Sequence, residues 1–310
     1  MPARLSNLGR YDCVYLSPHA EEAAISCAGA ILDDKGRGQR VLLLTLFGGD
    51  AEAVAREGPT ARLGVEHRAL GLPEAQRRDV YQYSFRSIFQ GSLAPQDEDS
   101  IVKAAQWLAE VGRRATPRHV YAPLGVWGHV DHRVVHQAAR RAFEGHLGRD
   151  LFFYEERPFS LLPSAVRNRL GQLGARLPPA VVSDGGGFTR FVLRFSWDPF
   201  VRRHFEGWWD GLQCTRIAAR QWRQARTWRP TKAFGPRLQP VLRPLSAEVL
   251  ALLRDGCQEL PGGSPFGSPS RFERLMRGYA RRLGQAGPVE RYWLLLPGKD
   301  DGEGAFGALD

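Results

Sequence analysis

The chain has 310 residues, 43% hydrophobic and 25% charged, which suits a folded protein with a sizeable core and excludes a disordered chain. No run reaches the roughly 18 apolar residues of a membrane span, and the opening MPARLSNLGRYDC lacks the apolar stretch of a secretory signal, so a cytoplasmic protein is expected. The formal charge of +10 is almost all arginine and is spread along the chain rather than gathered in a tail, so no specific nucleic-acid partner is expected.

The first half alternates short β-rich runs with helical stretches, the pattern of a parallel sheet with crossover helices. Tyr11 to Ser17 and Arg40 to Leu46 read as strands. Between them, Ala24, Ile25, Ala28, Ile31 and Leu32 fall at helical spacing until Gly36. Asp79 to Phe85 reads as a third strand, and Arg62 with Glu66 as an i, i+4 helix pair. A helix over Ser100 to Arg114, a strand over Arg118 to Ala122, a helix over Asp131 to His146 and a strand over Leu151 to Glu155 follow. Beyond Pro158 the texture changes to proline- and glycine-rich stretches, and then to a basic, tryptophan-rich helical segment over Val201 to Arg226. Its arginines read as solvated and its tryptophans as packed. Leu260 to Ser270 reads as an exposed loop. The expected architecture is α/β, a Rossmann-like, mostly parallel sheet with crossover helices over residues 10–160. Residues 161–310 form a C-terminal half packed against that core, all within one domain.

Cys13, Cys27, Cys214 and Cys257 form no C-x-x-C pair and read as core thiols. The chemistry lies instead in two other clusters. Ser17-Pro18-His19-Ala20-Glu21-Glu22 sits where the first strand ends, and Gly128-His129-Val130-Asp131-His132 just after the fourth. In a parallel sheet both lie at the carboxyl edge, where ligands bind. The first can supply two metal ligands and one base. Taken singly, either cluster is as well explained by helix capping and dipole pairing. Four metal-competent or proton-transfer residues on one edge favour a site.

These motifs, P-H-A-E-E and H-V-D-H, together with the LFFYEERPF segment after the fifth strand, resemble the PIG-L or LmbE-like N-acetylglucosaminyl deacetylases. Members of that family carry P-H-P-D-D and H-x-D-H, so Glu21 and Glu22 stand where they have aspartate. The resemblance implies one Zn2+, or another divalent metal, held by His19, Glu22 and His132. It also implies Glu21 as general base, and His129 as a second catalytic histidine oriented by Asp131. Three protein ligands leave a tetrahedral zinc one open position, which agrees with hydrolytic chemistry.

Asp50, after the second strand, Arg62 and Trp127 are candidate substrate contacts. His136 is expected outside the ligand set, and His67, His119, His146 and His204 are expected to be structural. The expected function is zinc-dependent removal of an N-acyl group, in the first instance N-acetyl, from an amino sugar or related small molecule. The alternative is a non-catalytic or repurposed member of the fold that binds metal or ligand without turnover.

Overall fold

The structure is a computed structural model that describes residues 7–49, 55–56, 58–78, 88–89, 93–145, 148–162, 164–178, 202, 207–230, 234–260 and 264–297, without the side chains of 127, 224 and 225. In chain order the elements are β1 (Cys13–Ser17), α1 (Glu22–Gly36), β2 (Val41–Phe47), α2 (Gly58–Leu63), β3 (Glu66–Leu72), α3 (Asp97–Ala115), β4 (His119–Pro123), α4 (Val130–Phe143) and β5 (Asp150–Tyr154). They continue as α5 (Ala165–Gln172), α6 (Trp208–Thr227), β6 (Arg237–Pro244), α7 (Ala247–Gln258), α8 (Pro269–Arg282) and β7 (Val289–Leu296).

All seven strands join one sheet in the order β3-β2-β1-β4-β5-β7-β6. The first five are parallel, while β7 pairs antiparallel with β5 and β6 antiparallel with β7. The α/β architecture read from the sequence is therefore present. The C-terminal half lengthens the same sheet rather than lying apart from it. The chain leaves β1 toward β2 and returns beside β1 as β4, so the carboxyl ends of β1 and β4 flank the switch point where doubly wound sheets open a crevice.

Strands β1 and β2 are buried along their whole length because helices cover both faces of the sheet. Val14, Leu16, Leu42 and Leu44 join one apolar cluster with α3 and α4. Tyr15, Leu43 and Tyr121 join the other with α1, α7 and α8. Tyr15 stacks on Tyr121 at 4.3 Å between centroids, and Tyr121 on Phe152 at 5.0 Å, a cross-strand ladder under α1.

Helix α1 breaks at Cys27 (φ −126°, ψ 17°). A break frees backbone N–H groups at the start of the following segment. Those of Gly29 and Ala30 donate to the Glu290 carboxylate of β7 at 2.9 and 3.0 Å. An acid 260 residues away thus does the work of a local helix cap. Gly29 leaves the room: a Cβ there would meet Leu245 Cδ2 at 2.5 Å and Glu290 Oε2 at 3.0 Å.

Four expectations change. The third strand is Glu66–Leu72, and residues 79–85 lie outside the described residues. Glu66 begins that strand and pairs with Arg68, while Arg62, in the six-residue α2, pairs with Glu259, so no Arg62–Glu66 helix pair exists. Leu260 to Ser270 is not a wholly exposed loop, because Leu260, Ser264 and Phe266 are buried. In α6 Trp222 is half-buried, and Trp228 just after it is buried, but Trp208 and Trp209 stack on each other in the open at 70% and 56% exposure. Arg216, Arg220, Arg223 and Arg226 are exposed, as read from the sequence. All four cysteines are buried free thiols. Among the described residues no helix is long and apolar enough to cross a membrane.

Candidate metal and catalytic site

The turn from β1 into α1 carries the first motif. Buried Ser17 accepts at Oγ from the N–H of Ala23 at 3.0 Å and donates to the His19 carbonyl, which closes the turn. The His19 N–H donates to Glu22 Oε2 at 2.8 Å, which ties the turn to the first residue of α1. Glu22 Oε1 then lies 3.0 Å from His19 Nδ1 and 2.8 Å from His132 Nε2. Glu21 stands before the first turn of α1, and its side chain makes no cap hydrogen bond.

The second motif arrives from β4. Gly125 takes a left-handed conformation at φ 81°, a short 3-10 turn spans Val126–Gly128, and His129 caps α4. His129 Nδ1 accepts from the N–H of Asp131 at 3.2 Å. In a neutral ring that fixes the proton at Nε2. Helix α4 carries Asp131 and His132 inward in its first turn, both buried.

The expected orientation of His129 by the Asp131 carboxylate takes a different form. Asp131 Oδ2 lies 3.1 Å from His19 Nε2 and accepts from Ala75 N at 3.0 Å, while Oδ1 pairs with Arg78 at 2.8 Å. What Asp131 gives His129 is its backbone N–H. The physical reason is the capping geometry, which turns the Asp131 side chain back toward His19.

Among the described residues, two sets of ligand atoms fall within 4.8 Å of one another: His19, Glu22 and His132, and His19, His129 and Asp131. The first fits a metal better. Tetrahedral zinc with bonds of about 2.0–2.1 Å spaces its ligands roughly 3.4 Å apart, and the 2.8 and 3.0 Å contacts reach that by a small outward relaxation. In the second set the Asp131 oxygens are taken by Arg78, Ala75 and His19, and Nδ1 of His129 by an amide proton.

The electrostatics divide the residues. Burial would lower the His132 pKa, but Glu22 and Glu156 facing it raise it to about 9. Burial likewise opposes the charged form of His19, yet Glu22 and Asp131 hold its pKa well above the usual value. Burial also opposes ionisation of Glu22, but His132 and His19 hold it ionised. Burial, reinforced by repulsion from Glu22, raises the Glu21 pKa. His129 is pushed well below 6.5 by burial, against the attraction of Asp131, with His132 and His19 adding repulsion. Its surroundings therefore favour the neutral ring. Its face is set by Phe89, edge-on at 5.0 Å.

Of the three substrate contacts expected from the sequence, only the Arg62 side chain falls among the described residues. Arg62 is spent on Glu259 in an exposed pair, Asp50 lies outside the described residues, and so does the side chain of Trp127. The arginine that reaches the site is Arg78, after β3, which pairs with Asp131 and Asp97. Nothing in the sequence singled it out, because its segment had been read as leading into a strand. Glu156 was also missed. It lies 3.2 Å from His132 Nδ1, and its signal was the E-E pair directly after β5, beside β4. His136 is buried, with Nδ1 3.0 Å from the Pro123 carbonyl and its ring 4.4 Å from Phe153, a structural position. His67 meets Thr45 and His119 meets Asp150, while His146 and His204 lie outside the described residues.

Residues 14–143, which hold both motifs, match the family described as PIG-L: GlcNAc-PI de-N-acetylase, so the resemblance drawn from the motifs is borne out over that stretch. A 2'-N-acetylparomamine deacetylase from Streptomyces fradiae is 32% identical over 179 residues, 51% of this chain. The match spans 61% of that relative's length. Among solved structures, a deacetylase of teicoplanin biosynthesis superposes with a TM-score of 0.55 at 14% identity, covering 93% of this chain and 99% of that one. The A40926 pseudoaglycone deacetylase gives 0.52 at 14% identity, covering 93% and 98%. Likeness at such identity shows the shared fold.

Proposed function

We propose that this chain, with its PIG-L match over residues 14–143, is a metal-dependent N-deacetylase acting on an acetylated amino sugar or a related small metabolite. The observation that carries the reading is the convergence of His19 Nδ1, Glu22 Oε1 and His132 Nε2 beside Glu21, whose side chain makes no cap hydrogen bond. His19, Glu22 and His132 would hold one divalent ion, zinc in the first instance. Such an ion supplies Lewis-acid polarisation of the amide carbonyl and acidifies water at its open position.

The chain's own groups supply the rest. Glu21, its pKa raised by burial and by Glu22, is placed to take the proton of the attacking water. His129 holds its proton at Nε2 and can donate a hydrogen bond from it to the developing oxyanion, while the proton that Glu21 takes from the water is the one passed on to the leaving amine. Arg78 and Ala75 N hold Asp131, and Asp131 in turn holds His19. Glu in place of Asp is accommodated, because one Oε1 of Glu22 reaches both histidines while Oε2 caps the turn at His19. That contact supports an adapted site over a decayed one. Preference for an aminoglycoside-like substrate is supported by the Streptomyces fradiae relative.

The test is release of free amine from a panel of N-acetylated amino sugars, including 2'-N-acetylparomamine, by metal-stripped protein titrated with zinc. Zinc-dependent release is expected on at least one of them. No release by wild type, with release appearing in the Glu21→Asp, Glu22→Asp double variant, would overturn the enzyme reading in favour of a repurposed site.

A further inference from the structure

Behind the converging ligand atoms, on the far side of His132, lies the fully buried carboxylate of Glu156. Its Oε1 accepts from the N–H of Gly125 at 2.6 Å and of Val126 at 3.1 Å and faces His132 Nδ1 at 3.2 Å. Oε2 shares the Val126 N–H at 3.1 Å. An imidazole that ligates through one nitrogen must carry its proton on the other. With Nδ1 against a carboxylate, the proton stays there and the Nε2 lone pair is aimed at the point shared with Glu22.

We infer, resting on the metal-site reading above, that Glu156 is a positioning residue that fixes the proton of His132 at Nδ1 and so delivers Nε2 as the ligand. The arrangement at His19 is its counterpart, since Nε2 of that ring faces Asp131 and Nδ1 faces Glu22. Each histidine of the ligand set is thus backed by a buried carboxylate, the arrangement that raises ligand basicity and holds ring orientation.

Glu156 has a second hold on the site. Gly125 and Val126, whose N–H groups it accepts, lead directly into the turn that ends at His129. The other side of that loop is closed by Arg169, which donates from Nε to the Leu124 carbonyl at 2.8 Å and would meet a Cβ at Gly125 at 2.9 Å. An ionised carboxylate suits the position where an amide does not. Glutamine would turn its NH2 toward either the Val126 N–H or the Nδ1 proton, setting donor against donor.

The test is zinc affinity of metal-stripped Glu156→Gln, read by competition with a chromophoric chelator. Dissociation constants roughly ten- to hundredfold weaker than wild type are expected, with a cooperative thermal transition retained. In a His132→Ala background the same change should weaken zinc binding by less than about twofold, because the effect runs through His132. Zinc-loaded wild type should show, by proton–nitrogen NMR, zinc on Nε2 of His132 and a slowly exchanging proton on Nδ1. That measurement decides the matter even where Glu156→Gln does not fold. Affinity within about threefold of wild type, or zinc on Nδ1, would overturn the inference while leaving the ligand set standing. A wild type that takes up no zinc would remove the reading on which it rests.

Discussion

Glu155 and Glu156 are neighbours in sequence, both buried, and they serve two different clusters. Leaving β5, the chain sends Glu155 to Arg291 at 2.5 Å, Trp293 Nε1 at 2.8 Å and the Tyr279 hydroxyl, all from the C-terminal half. It sends Glu156 the other way, to His132 and the β4 loop. Every partner in the first cluster is a donor turned toward Glu155, so it fastens β7 and α8 to the parallel core. In the second, ligand atoms of His19, Glu22 and His132 converge within 4.8 Å of one another, and a proton on each ring or a metal ion in their midst offsets the Glu22 charge. A buried carboxylate is therefore read by whether its partners close on it or converge beyond it.

The largest expected effect tests the converging cluster. Glu21→Gln should lower the deacetylation rate by about two to four orders of magnitude while zinc content stays at the wild-type level, since Glu21 is not a proposed ligand. Loss of zinc in that variant would move Glu21 into the ligand set and erase the distinction between the two glutamates.

A second closed cluster, around Glu290 of β7, breaks differently. Glu290→Ala strips the acceptor from Gly29 N, Ala30 N and the Tyr292 hydroxyl and leaves Arg157 without its buried carboxylate at 3.7 Å. It should cost about 3–5 kcal/mol, a fall in Tm on the order of 10 °C, with zinc affinity in the folded protein unchanged. A thermal scan and a chelator competition on the same sample separate the two. Weaker zinc binding without a fall in Tm would show that the C-terminal half acts on the site.

Much of this was legible in the sequence and some was not. Helices α1, α3 and α4, four of the first half's five strands and the convergence of the two motifs follow from local periodicity, because apolar runs bounded by helix signals carry their own evidence. Strand β3 escaped because EHRALGL interrupts its apolar run with charge. The Asp131 contacts escaped because capping by His129 decides which way that carboxylate turns. Glu290 could not be found at all, since its role depends on a kink at Cys27 in a helix 260 residues away.

A smaller effect distinguishes two histidines four apart on α4. His132 faces the ligands, whereas His136 is buried and its pKa is pushed well below 6.5 by burial and by nearby Arg169, Arg140 and Arg133. Its folded-state pKa is depressed, so the unfolded chain binds the extra proton first. Its contribution to stability is therefore present above about pH 6.5 and lost as pH falls below it, at roughly 1.4 kcal/mol per pH unit. Denaturant unfolding of wild type and His136→Gln at pH 7 and pH 5.5 should show a smaller loss on acidification in the variant. An equal loss in both would remove His136 from the account.

The central claim, that His19, Glu22 and His132 form a single metal site, is tested most directly by elemental analysis of wild type beside His132→Ala after zinc loading and desalting. About one zinc per chain in wild type and a small fraction of that in the variant is the predicted result. Equal metal in the two proteins would contradict it.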